Sequence, residues 1–149
     1  LTIREDVDET ILKYERLIND VLKEDLRKLE ERLVKLNTEV ADLVSQKHVL
    51  KVIGNKEIHP NGFKTQVNIG CNFFMEATVP DTSELLINIG LDHHLEFTME
   101  EAVKYLDVRI KAFEEKVAEI QAKASETQAH IKLMLFAIDE LQEMAVKRK

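Results

Sequence analysis

The side chains able to do chemistry are few. They are one thiol, Cys71, two adjacent imidazoles, His93 and His94, and acidic pairs such as Glu5-Asp6 and Glu30-Glu31. Thiolate and imidazole together suit a zinc-type metal. His93 and His94 are neighbours in a strand-like stretch, however, and successive strand residues point to opposite faces. They cannot readily share an ion, and His93, on the face of Leu95, reads as interface packing. The acidic pairs recur at heptad spacing and read as solvated helix faces, not as a paired-carboxylate site. Cys71 stands in a turn with no activating base nearby in the sequence and reads as a small structural thiol. No Gly-rich phosphate loop, HExxH, CxxC or nucleophile-elbow pattern occurs. The expectation is a protein that is not an enzyme, with no metal and no cofactor.

Composition narrows the class. The 149 residues are 44% hydrophobic and 33% charged, with 4 Gly, 2 Pro and no Trp. That mixture suits one domain of long helices with solvated outer faces. A net charge of -7 disfavours direct nucleic-acid binding, which needs a positive field. A single cysteine excludes an internal disulfide and fits a reducing compartment. No apolar run approaches the ~20 residues of a membrane span, and the opening Leu1-Thr2-Ile3-Arg4-Glu5 lacks the features of a secretory signal. A soluble intracellular protein is expected, with Lys147-Arg148-Lys149 as a helix C-terminus that complements its dipole. The chain begins at Leu1 instead of Met, so terminal tails are expected beyond it.

Two arms flank a short middle. From about Asp6 to Ile53 there is no Gly or Pro, and Leu22, Leu26, Leu29, Leu33, Leu36, Val40, Leu43, Lys47 and Leu50 step by four and three. Ile11, Tyr14 and Ile18 extend this seam backward, with one slip near Leu22. In the second arm, Thr98-Met99-Glu100-Glu101 is a capping box. Val103, Leu106, Ile110, Phe113, Val117, Ile120, Ala124, Thr127, Ile131, Met134, Ile138, Leu141 and Ala145 follow at alternating threes and fours. Such spacing argues coiled coil. Equal arms with one seam each predict a long antiparallel two-helix coiled coil whose termini meet at a far tip. The expected fold is mainly α with a small β part, as one domain. It divides into a helix over 1–53, a β-lobe over 54–98 and a helix over 99–149.

The middle alternates with period two. Val67 and Ile69, then Phe73, Met75, Ala77 and Val79, then Leu85, Ile87 and Ile89, then Leu95 and Phe97 mark four short strands. Breaks at Gly70-Cys71-Asn72, Pro80-Asp81-Thr82-Ser83 and Gly90-Leu91-Asp92 make them two consecutive hairpins. Helices that spend their seams on each other and run away from the strands cannot cover much of the sheet's apolar face. Two open hairpins are marginal alone and invite pairing with another chain. Val67, Ile69, Phe73, Met75, Val79, Leu85, Ile87, Ile89 and Leu95 are therefore expected to oligomerise.

A second surplus lies in the arms. Ile131-Lys132-Leu133-Met134-Leu135-Phe136-Ala137-Ile138 is apolar nearly all round, though a seam needs only Ile131, Met134 and Ile138. Leu133, Leu135 and Phe136 are extra, as are Leu12, Leu17 and Val21 on the facing arm. Between Asp107 and His130 the off-seam positions read as charged, polar or small, so the surplus is local. Apolar residues all round a helix must be covered by something: a neighbouring stalk, a thicker local core, or apolar segments of other proteins.

Several stretches carry a family resemblance. They are Lys13-Tyr14-Glu15, Asp20-Val21-Leu22, Asp25-Leu26-Arg27-Lys28, Gly70-Cys71-Asn72-Phe73-Phe74, Val79-Pro80-Asp81-Thr82-Ser83 and Leu95-Glu96-Phe97-Thr98. With two arms joined by a double hairpin, the chain resembles an α-class prefoldin subunit, and more narrowly the α-class member of a prefoldin-like complex. The resemblance implies a hetero-hexamer of two α-class and four β-class subunits joined through β-hairpins, in the cytoplasm and nucleus. It implies stalk tips (here Leu12, Leu17, Val21, Leu133, Leu135 and Phe136) that hold non-native client proteins without ATP. Chaperonin, an AAA+ co-chaperone and RNA polymerase assembly machinery are the further partners it implies. The competing expectation is a coiled-coil scaffold or transcriptional co-regulator that binds folded partners.

Overall fold

The structure is a computed structural model describing residues 2–147, with side chains from residue 5 onward. Leu1, Arg148 and Lys149 lie outside the described residues, and with them most of the basic end singled out above. The elements run α1 (Thr2–Arg16), a π-helical segment (Leu17–Leu22), α2 (Lys23–Ile53), β1 (Phe63–Gly70), β2 (Phe73–Val79), β3 (Glu84–Gly90), β4 (His93–Thr98) and α3 (Met99–Lys147). They form two compact units, Leu1–Thr38 with Glu115–Lys149, and Glu39–Glu114.

In the first unit the buried residues are Ile18, Ile120, Ala124 and Ile138, all at positions the three-four spacing selects. Ile11, Tyr14, Leu22, Leu26, Leu29, Leu33, Ile131, Met134 and Leu141 are half-buried. The core is therefore one seam thick. The helices run antiparallel: the Arg32 guanidinium helps to hold the Glu119 carboxyl below its ordinary range, after the larger effect of Lys123 on the same helix. The slip near Leu22 is a wide π turn, in which the Lys23 N–H reaches the Ile18 carbonyl.

The second unit begins from the same seam, with Leu43, Ala102 and Leu106 buried. Lys47, the one cation in the seam, forms an ion pair with Asp107 of the facing helix. α2 stops at Ile53, where the Gly54 N–H donates to the Leu50 carbonyl. The reciprocal capping box expected at α3 is present: the Thr98 N–H donates to Glu101 Oε2 at 3.1 Å, and the Glu101 N–H to Thr98 Oγ1 at 3.4 Å. These bonds occupy donors that a helix N-terminus leaves free.

The strands form two separate antiparallel pairs, β1 with β2 and β3 with β4. Both hairpins turn by one local recipe. Cys71-Asn72 and Leu91-Asp92 hold positive φ of 50° and 61°, and 50° and 58°. Two central residues at positive φ match the twist of the flanking strands. Just before each turn, Asn68 and Asn88 accept a hydrogen bond from the Gly70 and Gly90 N–H at 2.8 Å. There the register shifts, leaving Ile69 and Ile89 as bulge residues without a cross-strand partner. Strict alternation thus ends one residue before each tip.

Candidate functional site

No arrangement of catalytic groups lies on this scaffold. Cys71 is exposed at a turn. His93 pairs across the strands with Gly90 and His94 with Asn88. Among the described residues no group of three or more His, Cys, Asp or Glu gathers around a metal-sized space, and no helix is long and apolar enough to cross a membrane. The features that invite a partner are apolar surfaces, one in each unit.

In the unit of Glu39–Glu114, cross-strand pairing places Phe63, Thr65 and Val67 opposite Val79, Ala77 and Met75, with Phe73 closing the row opposite Gly70. Lys64, Gln66, Thr78 and Glu76 share the other face, where Lys64 and Glu76 form an ion pair at 2.8 Å. The first hairpin is therefore amphipathic, and its apolar row is bare: Phe73 is 70% exposed, and Val67, Ile69 and Met75 are exposed as well. Only Val79 and Ala77 are half-buried.

The second hairpin differs. Leu85 and Ile87 stand opposite Phe97 and Leu95, and Leu85, Ile87 and Phe97 are half-buried. The Phe97 ring stacks on Tyr105 of α3 with centroids 5.2 Å apart, and Arg109 donates to the Tyr105 hydroxyl at 3.4 Å. Leu85 and Ile87 form one wall of a groove of about 610 Å³ whose other wall includes Leu43, Val49, Leu50 and Leu106. This corrects the expectation that the helices leave the strands uncovered. They shelter one hairpin partly and the other hardly at all, because a single aromatic stack draws β4 toward α3.

In the unit carrying both termini, all six residues singled out from the sequence are exposed. Leu133 is 66% and Phe136 63% exposed, and Leu12, Leu17, Val21 and Leu135 are also in the open. They share one level of the pair: Arg32 faces Glu119, and counting back along one antiparallel arm and forward along the other sets Leu17 beside the stretch from Leu133 to Phe136.

Sequence reasoning passed over other exposed apolar residues. Phe74, Leu86 and Leu91 belong to the hairpins, and Leu91, at a tip, is 93% exposed. Period-two alternation assigns apolar residues to one face only, and these three lie off it or in the turn. Met144 and Val146 extend the terminal surface of α3. Val108, off the seam and exposed, breaks the expected polar run after Asp107. Single apolar residues of this kind are ordinary surface.

Comparison with known proteins follows this geometry. The family profile described as "Prefoldin subunit" matches residues 22–144. The chain is 33% identical over 134 residues to "Protein UXT" of Homo sapiens, covering 90% of this chain and 84% of that protein. It is 23% identical over 123 residues to "Prefoldin subunit alpha" of Pyrococcus horikoshii, covering 83% and 82%. Among solved structures, the filamentous PFD of Methanocaldococcus jannaschii superposes with a TM-score of 0.67 at 19% identity. The match spans 82% of this chain and 98% of that one, and shows a shared fold.

Proposed function

The chain belongs to the prefoldin family, and from that premise we propose that it is a co-chaperone subunit that holds non-native proteins without ATP and without an enzymatic step. Its hairpins join it to other subunits, β-class chains and a second α-class chain in a hetero-hexamer. The exposed apolar residues of its terminal unit hold the client. Cytoplasm and nucleus are the compartments in which it works, alongside chaperonin, AAA+ co-chaperone or polymerase assembly machinery.

One observation carries the reading. The helix seam is fully used, yet Leu133, Leu135 and Phe136 remain outside it, exposed, at the level of Leu12, Leu17 and Val21. A soluble helix pair gains nothing by presenting such residues to water, since burying each is worth about 1.5–3 kcal/mol. Weak contacts from several subunits would add by raising effective concentration at the client. The bare row from Val67 to Phe73 supports assembly through the hairpins, because an unpaired strand edge with an apolar face is a template for another chain.

The test is suppression of aggregation by the assembled protein. Leu133→Ser, Leu135→Ser and Phe136→Ser together are expected to abolish holding while the assembled mass stays constant. Holding at the parent level would remove these residues from the mechanism. The groove between β3 and the helices, shaped for one well-defined segment, supports the competing reading of a scaffold or transcriptional co-regulator for folded partners. That reading predicts one stoichiometric partner and no effect on aggregation.

A further inference from the structure

The seam breaks its rhythm once. Steps of three and four alternate from Ile11 to Ile18 and again from Leu22 onward, but Ile18, Leu22 and Leu26 stand four apart twice in succession. One residue is present beyond what the heptads require. In an unbroken α-helix it would rotate everything before it by about 100° off the seam. The backbone instead widens, with the Lys23 N–H bonded to the carbonyl of Ile18, five residues back. A turn closed in this way absorbs about one residue more than an α turn, and Ile18 stays buried at 2% exposure.

The seam itself gives no reason to keep the extra residue. Without Asn19 the alternation of three and four would run unbroken from Ile11 to Leu50. What the wide turn alters is the outside of the helix. Leu17 and Val21 lie on it, both apolar and exposed, whereas from Lys23 to Arg32 the off-seam positions are all charged. In an α-helix, residues four apart are offset by about 40° around the axis. A turn that holds more residues reduces that angle per residue, so Leu17 and Val21 come into line along the helix.

We infer that the π turn is a positioning element for client capture: it aligns Leu17 and Val21 into one apolar strip, level with Leu133 to Phe136, that takes an extended apolar segment of a non-native polypeptide. This rests on the client-holding reading above. Asn19 and Asp20, on the same turn, are polar and exposed; they keep the strip narrow.

The experiment uses the full chain in the assembly it forms, with guanidinium-unfolded citrate synthase as client. Deletion of Asn19 is expected to leave helix content unchanged and the melting midpoint equal or higher, because the seam becomes continuous. The amount of protein needed for half-suppression of aggregation should rise about tenfold, the loss of one modest apolar contact area. Leu17→Ser with Val21→Ser, on the intact π turn, should lose as much. A folded deletion variant that holds client as well as the parent overturns the inference and makes the turn a mere accommodation in the seam. Should the deletion variant misfold, the serine pair decides alone, and its unchanged holding overturns the inference. The triple serine variant of Leu133, Leu135 and Phe136 separates the two proposals. If it retains holding, the client reading fails; if it loses holding while the Asn19 deletion does not, only the role of the π turn falls.

Discussion

Phe73 offers the sharpest test of how the hairpins work. Its ring closes the apolar row of the first hairpin opposite Gly70. At 70% exposure, about 140 Å² of the ~200 Å² such a side chain can bury awaits a partner. At about 25 cal/mol per Å², covering it is worth about 3 kcal/mol. Phe73→Ser should therefore raise the dissociation constant for assembly roughly a hundredfold. Sedimentation equilibrium across a dilution series reads that shift, and circular dichroism should show the helices melting as in the parent. Phe74→Ser is the matched control: Phe74 is also exposed but stands opposite Asn68, in the row of Lys64 and Glu76. It should leave assembly nearly intact. An unchanged mass for Phe73→Ser, or an equal loss from both variants, would refute the argument that one hairpin face is the joint.

Four further outcomes follow from the geometry. Lys47→Leu should raise the melting midpoint, by about 1 kcal/mol, since a polar residue in a seam lowers stability while fixing register; adding Asp107→Ala to that variant should then have little further effect in a double-mutant cycle. Ile138→Ala should lower stability by about 2 kcal/mol in chemical unfolding, the low end for a buried aliphatic side chain because this core is only one seam thick. Glu101 is held below the ordinary carboxylate range by the Thr98 backbone N–H first and the Thr98 hydroxyl second, so its contribution is present above that range and is lost as pH falls through it; Glu101→Gln should flatten this part of an acid-unfolding curve. Gly62 has φ of 81°, and a Cβ there would lie 1.8 Å from the Val79 carbonyl oxygen, so Gly62→Ala should detach the base of the first hairpin and lower assembly while the coiled coil still melts cooperatively.

The seam was legible because its cause is local. A residue every three or four positions must face the partner helix, and Ile11 through Leu50 and Val103 through Ala145 are the covered positions. The capping box was legible for the same reason, as two side chains three residues apart. The slip near Leu22 showed in the spacing, but its form did not: spacing reveals a surplus residue and leaves open whether the helix breaks, rotates or widens. The hairpins were legible as alternation up to Asn68 and Asn88. Beyond these, bulges at Ile69 and Ile89 and the paired positive φ values override period two. The unequal shelter of the two hairpins escaped the sequence because it depends on one long-range meeting, Phe97 with Tyr105. The surplus at Leu133, Leu135 and Phe136 was visible as excess over what one seam consumes.

Lys47 and Asp107 are 60 positions apart in sequence, and everything between them closes locally, the two hairpins by turns of two residues each. That order implies a zipper. Once both hairpins have snapped shut, the ends of α2 and α3 are already near neighbours, and each later pair along the arms extends the loop at a small logarithmic cost in entropy. During synthesis, though, the first arm emerges with its seam open and waits for the second, so a ribosome stalled after Phe97 would expose the longest sticky surface this protein ever shows.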